Sequence, residues 1–177
     1  PAGKNDLKAK IEFDFFGQHF SFTFPGLTQS SSPQNLVVAG NTVYFSADDA
    51  SSGRELWSTD GTQVGTQLNA DLTPGFDPIT GLTLSTNPGE LTFVRSADAE
   101  QLFFVASGGL WVVEDGGTAR RISAVNAAPD QLEAVGGRLF FRAGGKLWVS
   151  DGSESGTMRF DTIIPPNVPL KVSVLAG

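Results

Sequence analysis

The chain has 177 residues, enough for one domain with a sizeable core or for a small domain with an appendage. It contains no Cys, which excludes disulfides, thiol catalysis and zinc sites built on thiolates. The net charge is −7, and basic residues cluster only at Arg120-Arg121, so nucleic acid is not expected as a partner. No apolar run approaches the length of a membrane-spanning helix, so we expect no transmembrane segment.

The composition favours an all-β fold. The chain holds 14 Phe and 21 Gly, whereas charged residues make up only 18%. Aromatic residues favour strands and Gly favours tight turns, and no stretch shows helical periodicity. The first residue is Pro1 rather than Met, from which we expect a removed leader or a longer parent protein. The lack of Cys is compatible with export but does not establish it.

Residues 1–35 are predicted to form an N-terminal β-hairpin and a linker. Residues 11–24 alternate almost strictly between apolar and polar on both sides of Gly17-Gln18, which we expect at the centre of a two-residue turn. The residues that share the apolar face are Ile11, Phe13 and Phe15 in the first strand and Phe20, Phe22 and Phe24 in the second. Because this face is entirely apolar, we expect it to pack against another apolar surface. A Ser-rich segment that ends near Pro33 follows as the linker.

Residues 36–165 contain three repeated units, which span 36–75, 91–125 and 132–165. Each unit carries an aromatic strand, then Leu-Trp, then Asp-Gly; the three tryptophans are Trp57, Trp111 and Trp148. Each unit offers four short apolar runs separated by Gly-rich turns, which predicts a four-stranded antiparallel sheet. One such sheet exposes both faces and cannot stand alone, so the three sheets are expected to pack face to face.

The units differ by insertions that the turns should absorb. The first unit has extra residues 48–52 before its Leu-Trp pair. The second unit has one extra residue between Trp111 and Asp115, which predicts a β-bulge. Residues 166–177 alternate weakly and contain Pro166 and Pro169, so we expect an edge strand there.

The first unit resembles a known repeat. Residues 53–66 read Gly-Arg-Glu-Leu-Trp-Ser-Thr-Asp-Gly-Thr-Gln-Val-Gly-Thr, which is similar to the bacterial ELWxxDGT repeat, also called hyalin-like. Residues 69–75 resemble its usual continuation. The other two units lack the Glu before Leu, and the second also lacks the Gly-Thr pair at its place in the motif, which is five residues after the Asp in the first unit. Members are mostly large exported or surface-associated proteins with an expected propeller-like fold and no catalytic residues in the motif. The resemblance therefore implies location and architecture rather than chemistry.

The predicted fold class is all-β, a β-propeller-like array of four-stranded antiparallel sheets. Three sheets are too few for a closed propeller, so the hairpin and the C-terminal strand are expected to supply a fourth, irregular blade. Two alternatives stay open: an open fragment of a larger propeller, and a ring that self-association completes.

Most candidate site residues also have a structural interpretation. Trp57, Trp111 and Trp148 are candidates for stacking on sugars, although repeated Trp more often packs between sheets. The Asp-Gly turns are expected to be structural. Asp48 and Asp49 in the insertion, with Glu55 nearby, offer enough oxygen for calcium, but they lack a Gly-punctuated ligand pattern, and a solvated loop is favoured. Asp71 and Asp77 flank Pro74-Gly75, which indicates a turn.

No enzyme is expected, and no cofactor other than calcium. His19 is the only histidine, and no Ser or acid near it in sequence suggests a nucleophile system. The predicted function is a secreted or surface-bound binding or scaffold module that recognises a protein or a glycan. The alternatives are a glycan-active or phosphoesterase-like enzyme that uses loop carboxylates, and a purely structural segment of a larger surface protein. Function is expected where the units differ, which is at residues 48–52, at residues 73–89 and at the aromatic hairpin of residues 11–24.

Overall fold

A computed structural model describes residues 9–15, 18–24, 31–49 and 51–160 of the chain, with the backbone alone for the first two ranges. These residues form strands joined by turns and almost no helix. The strands are β1 (Ala9–Phe15), β2 (Gln18–Phe24), β3 (Gln34–Ala39), β4 (Thr42–Asp49), β5 (Gly53–Thr59), β6 (Gln67–Ala70), β7 (Gly89–Arg95), β8 (Glu100–Ala106), β9 (Gly109–Glu114), β10 (Arg120–Ile122), β11 (Pro129–Val135), β12 (Arg138–Ala143), β13 (Lys146–Ser150) and β14 (Met158–Arg159).

Each predicted unit forms its own four-stranded antiparallel sheet. The strand orders are β3-β4-β5-β6 in the first sheet, β7-β8-β9-β10 in the second and β11-β12-β13-β14 in the third. Every strand therefore pairs with its neighbour in sequence, as short Gly-containing hairpins require. The prediction of an all-β chain with three such sheets is confirmed.

The two strands of the predicted N-terminal hairpin form, with one difference at Gln18. β1 and β2 pair antiparallel, and the register joins Ile11 to Phe22 and Phe13 to Phe20. The pair nearest the turn is Phe15 with Gln18. Gln18 therefore belongs to β2, and the prediction that it lies at the centre of the turn is wrong.

The first strand of each four-stranded sheet contains a bulge at the same place. The register shifts between Gln34 and Val37 in β3, between Gly89 and Thr92 in β7, and between Asp130 and Glu133 in β11. Each bulge holds a non-Gly residue in the left-handed region, with φ of 57° at Asn35, 53° at Glu90 and 54° at Gln131. Such residues are uncommon, so their recurrence at equivalent positions supports the equivalence of the three units.

The bulge predicted in the second unit is absent from the strand pairs. β8 and β9 pair without interruption from Gln101 with Glu114 to Ala106 with Gly109. The extra residue is taken up by the turn that follows, where Asp115 has φ of 47° and Gly116 has φ of 71°. That prediction is wrong because the turn could absorb the insertion through two left-handed residues.

The core consists of two hydrophobic clusters, one on each face of the second sheet. On β8, Phe104 belongs to the cluster shared with the first sheet, and Phe103 belongs to the cluster shared with the third sheet. Both rings are fully buried. Alternation along a strand sends adjacent residues to opposite faces, so the Phe-Phe pair buries both sides of this sheet.

The first strands of successive sheets are neighbours. β7 contacts β3 on one side and β11 on the other. Closure of the sheets into a propeller stays a prediction, and the predicted strand within residues 166–177 lies outside the described residues. None of the described residues belongs to a helix with the length and apolar character needed to cross a bilayer.

Candidate functional sites

The Asp-Gly turns of the first and third units contain the same hydrogen-bond network. In the first unit, Asp60 Oδ1 accepts from the Thr62 amide at 2.9 Å and from its hydroxyl at 2.7 Å. The Thr62 hydroxyl oxygen accepts from the Gly65 amide at 2.9 Å, and the Thr66 hydroxyl donates to the Thr62 carbonyl at 2.7 Å. Thr59 completes the network through its hydroxyl, which lies 2.7 Å from that of Thr66. The motif residues are therefore used within the turn.

The third unit contains the same contacts between equivalent residues. Asp151 Oδ1 accepts from the Ser153 amide and hydroxyl at 2.9 and 2.7 Å, and the Ser153 hydroxyl oxygen accepts from the Gly156 amide at 2.9 Å. The hydroxyls of Ser150 and Thr157 lie 2.7 Å apart. A Cβ added at Gly65 or Gly156 would overlap the carboxylate of Asp60 or Asp151, so Gly is needed there for space. The sequence-based interpretation of these turns as structural agrees with this geometry.

Two of the three tryptophans have a hydrogen-bond partner. Trp111 Nε1 donates to the Ala106 carbonyl at 3.0 Å, and Trp148 Nε1 donates to the Ala143 carbonyl at 3.2 Å. Each indole also stacks on a Phe ring, with centroids 6.4 Å apart for Phe104 and Trp111 and 6.1 Å apart for Phe141 and Trp148. Both contacts lie at the hydrophobic clusters between sheets.

Trp57 differs because its hairpin is longer. In the second unit Ala106 is the last residue of its strand pair, opposite Gly109, and its carbonyl accepts from the indole at that end of the hairpin. In the first unit the equivalent Ala47 lies opposite Glu55, inside the ladder. Trp57 Nε1 is buried and has no hydrogen-bond partner in the described part of the chain.

The insertion does not gather its acidic residues at one point. Asp49 Oδ1 accepts from the amides and hydroxyls of both Ser51 and Ser52, at 2.6 to 2.9 Å. Burial would raise the pKa of Asp49, but these hydrogen bonds outweigh it and lower the pKa. Asp48 pairs with Arg54 in the ladder, one position from the Ala47–Glu55 pair, so alternation places it on the opposite face from Glu55. The carboxylate of Asp49 thus caps its own loop.

Glu55 lies in the interior, where its carboxylate ties the segments that follow the sheet. Its side chain is fully buried. Glu55 Oε1 accepts from the Thr86 amide at 2.9 Å; Oε2 accepts from the Thr86 hydroxyl and from the Leu72 amide, the latter at 3.4 Å. Burial raises the pKa of Glu55, the hydrogen bonds oppose the rise, and the nearby charge of Asp71 adds to it. The carboxylate holds residues 72 and 86 against β5.

The segment that follows β6 contains a group of side-chain oxygens without partners. Asn69 Oδ1, Asp71 Oδ1 and Thr73 Oγ1 are buried and accept or donate no hydrogen bond. Buried polar atoms are nearly always paired, so three orphans within five residues need a physical explanation. No group of three or more His, Cys, Asp or Glu side chains in the described ranges is arranged to hold a metal ion.

The connection between the first two sheets forms an ordered loop with exposed apolar side chains. We call residues 74–84 the apolar loop. Its backbone closes on itself through bonds from the Asp77 amide to the Leu82 carbonyl at 2.8 Å and from the Leu84 amide to the Gly75 carbonyl at 3.1 Å. Asp77 Oδ1 caps the tip by accepting from two amides at 2.8 Å. Yet Phe76, Ile79 and Leu82 are 64%, 92% and 69% exposed.

A cavity of about 190 Å³ opens between the first two sheets. Tyr44 and Phe93 contribute aromatic walls, and Glu100 and Asp115 contribute carboxylates at its edge. Burial and the charge of Glu100 raise the pKa of Tyr44. Glu100 forms an ion pair with Arg95 at 2.6 Å, and Asp115 Oδ1 accepts from the Glu100 amide at 3.0 Å. Both carboxylates already take part in structural contacts.

Some of these features could be found in the sequence and others could not. Residues 73–89 were expected to differ between units, and the apolar loop lies within them. The sequence does not predict the unpartnered oxygens at residues 69, 71 and 73, because only their burial distinguishes them. His19 lies in β2 opposite Asp14, and its side chain is outside the described atoms.

The chain matches no family model. No curated protein and no solved structure is significantly similar to it.

Proposed function

We propose that this chain is a non-catalytic binding module of a secreted or surface-attached bacterial protein, and that it binds a protein partner through the apolar loop. The observation that supports this function is the exposure of Phe76, Ile79 and Leu82 on a loop whose own backbone hydrogen bonds hold it in shape. Exposed apolar side chains on an ordered loop are typical of surfaces that become buried in a complex. The expected partner is a protein with an apolar groove.

The structural framework we propose is a propeller-like array of ELWxxDGT-type units. The equivalent bulges of the three first strands and the matching networks at Asp60 and Asp151 support a common repeat. The neighbouring positions of β3, β7 and β11 are compatible with sheets arranged around an axis. In this arrangement the apolar loop is a connection between blades, which is where propellers tolerate insertions.

A glycan is the second candidate ligand, and the cavity beside Tyr44 and Phe93 supports it. An aromatic wall with carboxylates at the edge suits a sugar ring, which stacks on the aromatic face and donates its hydroxyls to the acids. An enzymatic role is less well supported. Glu100 and Asp115 are engaged by Arg95 and by a backbone amide, whereas proton transfer needs a carboxylate that is aimed at the substrate.

The binding proposal can be tested with the full chain immobilised and exposed to cell-surface extract from the organism that encodes it. We expect binding that protease treatment of the extract abolishes and periodate oxidation of glycans leaves intact. The triple variant Phe76→Ser, Ile79→Ser, Leu82→Ser should bind at least about tenfold more weakly, because its apolar contact area is lost. Val64→Ser is the matched control, since Val64 is 94% exposed outside the apolar loop.

Two outcomes would contradict the protein-binding proposal. Equal binding by the triple variant and the wild type would exclude the apolar loop as the contact surface. Binding that survives protease but is lost after periodate would instead support the glycan at the Tyr44 cavity. Sedimentation of the chain alone measures its oligomeric state, and so distinguishes either kind of ligand binding from self-association.

A further inference from the structure

We propose that the cavity beside Tyr44 binds an amino sugar in its protonated form. The inference rests on the second candidate of the proposed function, a glycan in this cavity, and it is independent of the apolar loop. The cavity has a volume of about 190 Å³ and lies between the first two sheets. Pockets for drug-sized ligands measure about 300–1,000 Å³, so this cavity suits a single ring.

The hydroxyl of Tyr44 has no hydrogen-bond partner. Tyr44 is 6% exposed and contributes to the wall of the cavity. No described residue donates to its hydroxyl oxygen or accepts from it. The hydroxyl points towards the second sheet, because a Cβ added at Gly116, on the other side of the cavity, would lie 3.8 Å from it. A buried Tyr hydroxyl is usually paired, and a polar ligand in the cavity supplies the missing partner.

The edge of the cavity is negatively charged. Glu100 and Asp115 are the only charged residues among the described ones that line it. Arg95 pairs with Glu100 Oε1 at 2.6 Å, and Asp115 Oδ1 accepts from the Glu100 amide at 3.0 Å. The second oxygen of each carboxylate has no such contact in the described part of the chain. Arg95 balances one of the two negative charges, so the other is available to a cation.

The charge of Glu100 is felt at the Tyr44 hydroxyl. Burial raises the pKa of Tyr44, and the charge of Glu100 raises it further. The hydroxyl therefore stays protonated, and it lies in a region of negative potential. Such a region attracts a protonated amine and repels a carboxylate or a phosphate. The charged group of the ligand is therefore an amine.

The equivalent gap between the second and third sheets is filled by a side chain. By strand register, Phe103 is the equivalent of Tyr44. Two residues before each of them, Gln101 is the equivalent of Thr42. Gln101 reaches across its gap and donates to the Asp151 carbonyl at 2.9 Å. Because Thr42 is shorter than Gln101, the corresponding space stays open between the first two sheets.

Two further differences make the open space polar. Tyr44 adds a hydroxyl at a position where Phe103 is apolar. Glu100 adds a carboxylate at a position where its equivalent in the third unit, Gly137, has no side chain. These polar groups are not required for packing between sheets, since the second gap is packed without them. Their presence beside an open space supports a binding site.

The body of the ligand is a sugar ring. Tyr44 and Phe93 contribute aromatic walls, on which the C–H face of a sugar ring packs. The hydroxyls of Thr42 and Tyr44 and the carboxylates at the edge lie at separate points of the lining, where several ring substituents can reach them. A lysine side chain offers one amine on an apolar stem and would leave most of these groups without partners. The lining therefore favours an amino sugar.

The test is calorimetric titration of the full chain with glucosamine, N-acetylglucosamine and glucose. The three sugars differ only in the substituent at one ring carbon. At about pH 6 the amine of glucosamine is protonated. We expect glucosamine to bind at least about tenfold more tightly than the other two sugars, because it alone carries a positive charge.

Two variants locate the binding site. Asp115→Asn should abolish the preference for glucosamine, because it removes a charge while the Asn oxygen can still accept from the Glu100 amide. Tyr44→Phe keeps the ring and removes the hydroxyl, so it should weaken the binding of all three sugars by about three- to tenfold. Glu133→Gln is the matched control: Glu133 is exposed in the third sheet, so the same change of charge should leave the preference intact.

Each failure has a distinct result. Equal affinity for glucosamine and glucose would overturn the amino sugar and retain a glycan site. No heat of binding with any of the three sugars would overturn the glycan candidate as well, whereas binding through the apolar loop is measured separately by its triple variant. Equally tight binding of Nα-acetyl-lysine methylamide would assign the cavity to a lysine side chain instead. Loss of the preference in Glu133→Gln would show that the overall charge of the chain attracts the amine, which would overturn the site.

Discussion

The Asp-Gly turn of the second unit is stabilised differently from those of the first and third units. In the first and third, Asp60 and Asp151 sit inside closed networks that use the Thr or Ser two residues later and the Gly-Thr pair beyond. In the second unit the Gly-Thr pair, Gly117-Thr118, follows Asp115-Gly116 directly, and Asp115 instead accepts from the Glu100 amide of the neighbouring strand. Because the second turn has no closed network of its own, hydrogen bonds to neighbouring segments hold it in place.

The surroundings of the second turn belong partly to the third sheet. Arg120 donates to Glu114 at 2.6 Å and to the Gly152 carbonyl at 2.7 Å, and Gln101 donates to the Asp151 carbonyl at 2.9 Å. The closed network of the third turn therefore presents its carbonyls in fixed positions to the open turn of the second. One rigid turn thus orders its less regular neighbour.

The largest expected effect is that of Gly156→Ala. The added methyl group would overlap the Asp151 carboxylate and expel it from the network. We expect a loss of about 2–3 kcal/mol in the free energy of unfolding, measured with urea, because the hydrogen bonds to a carboxylate are lost together. Gly65→Ala should act in the same direction.

Gly145→Ala is the control for the glycine substitutions. Its φ is 71° and the space around it is open, so only backbone strain of about 1 kcal/mol is expected. Equal stability of Gly145→Ala and Gly156→Ala would show that the Asp151 network contributes little.

A smaller effect is expected for Thr157→Val. The Thr157 hydroxyl donates to the Ser153 carbonyl at 2.6 Å and meets the buried Ser150 hydroxyl, so its removal should cost about 1–2 kcal/mol. Thr118, which follows the Gly116-Gly117 pair in the second unit, is exposed, and Thr118→Val should change stability by less than about 0.5 kcal/mol. Similar losses in both variants, measured by thermal unfolding, would remove the distinction between closed and open turns.

The smallest effect concerns pH. Burial would raise the pKa of Asp151, but hydrogen bonds from the Ser153 hydroxyl and amide outweigh it and lower the pKa below 3.8. The carboxylate therefore stabilises the fold above the unfolded pKa, and this contribution is lost as the pH falls through the lower, folded pKa. Because Asp151 is exposed, we expect less than about 1 kcal/mol.

The measurement is the free energy of unfolding between about pH 5 and pH 2.5 for the wild type, Asp151→Asn and Ser153→Ala. Both variants should lose less stability on acidification than the wild type does. An unchanged acid dependence in Asp151→Asn would show that this carboxylate is not linked to folding.

Much of the fold could be predicted from the sequence because strand periodicity and Gly-containing turns are local signals. The three sheets and the structural use of Asp60 and Asp151 follow from residues close together in the chain. The bulge was placed wrongly in the second unit, because a turn and a strand can absorb an extra residue equally well. The bulges at Asn35, Glu90 and Gln131 gave no sequence signal, since no Gly marks their left-handed backbone.

Contacts between distant segments were harder to predict. Burial of Glu55 against Thr86 depends on how the connection between sheets returns, which periodicity does not report. The missing partner of Trp57 depends on the position of Ala47 within its ladder. The orphan oxygens of Asn69, Asp71 and Thr73 become visible only when burial is known.

The side chains of two left-handed residues in the first strands form hydrogen bonds that run in one direction, from each unit to the next. Asn35 donates to the carbonyl of Pro88, just before β7, and Glu90 accepts from the amide of Leu132 in β11. In both links the earlier unit contributes a side chain and the later unit contributes only its backbone. These two links therefore put no constraint on the side chains of the later unit, and the requirement that neighbouring units match lies in the hydrophobic clusters between their sheets.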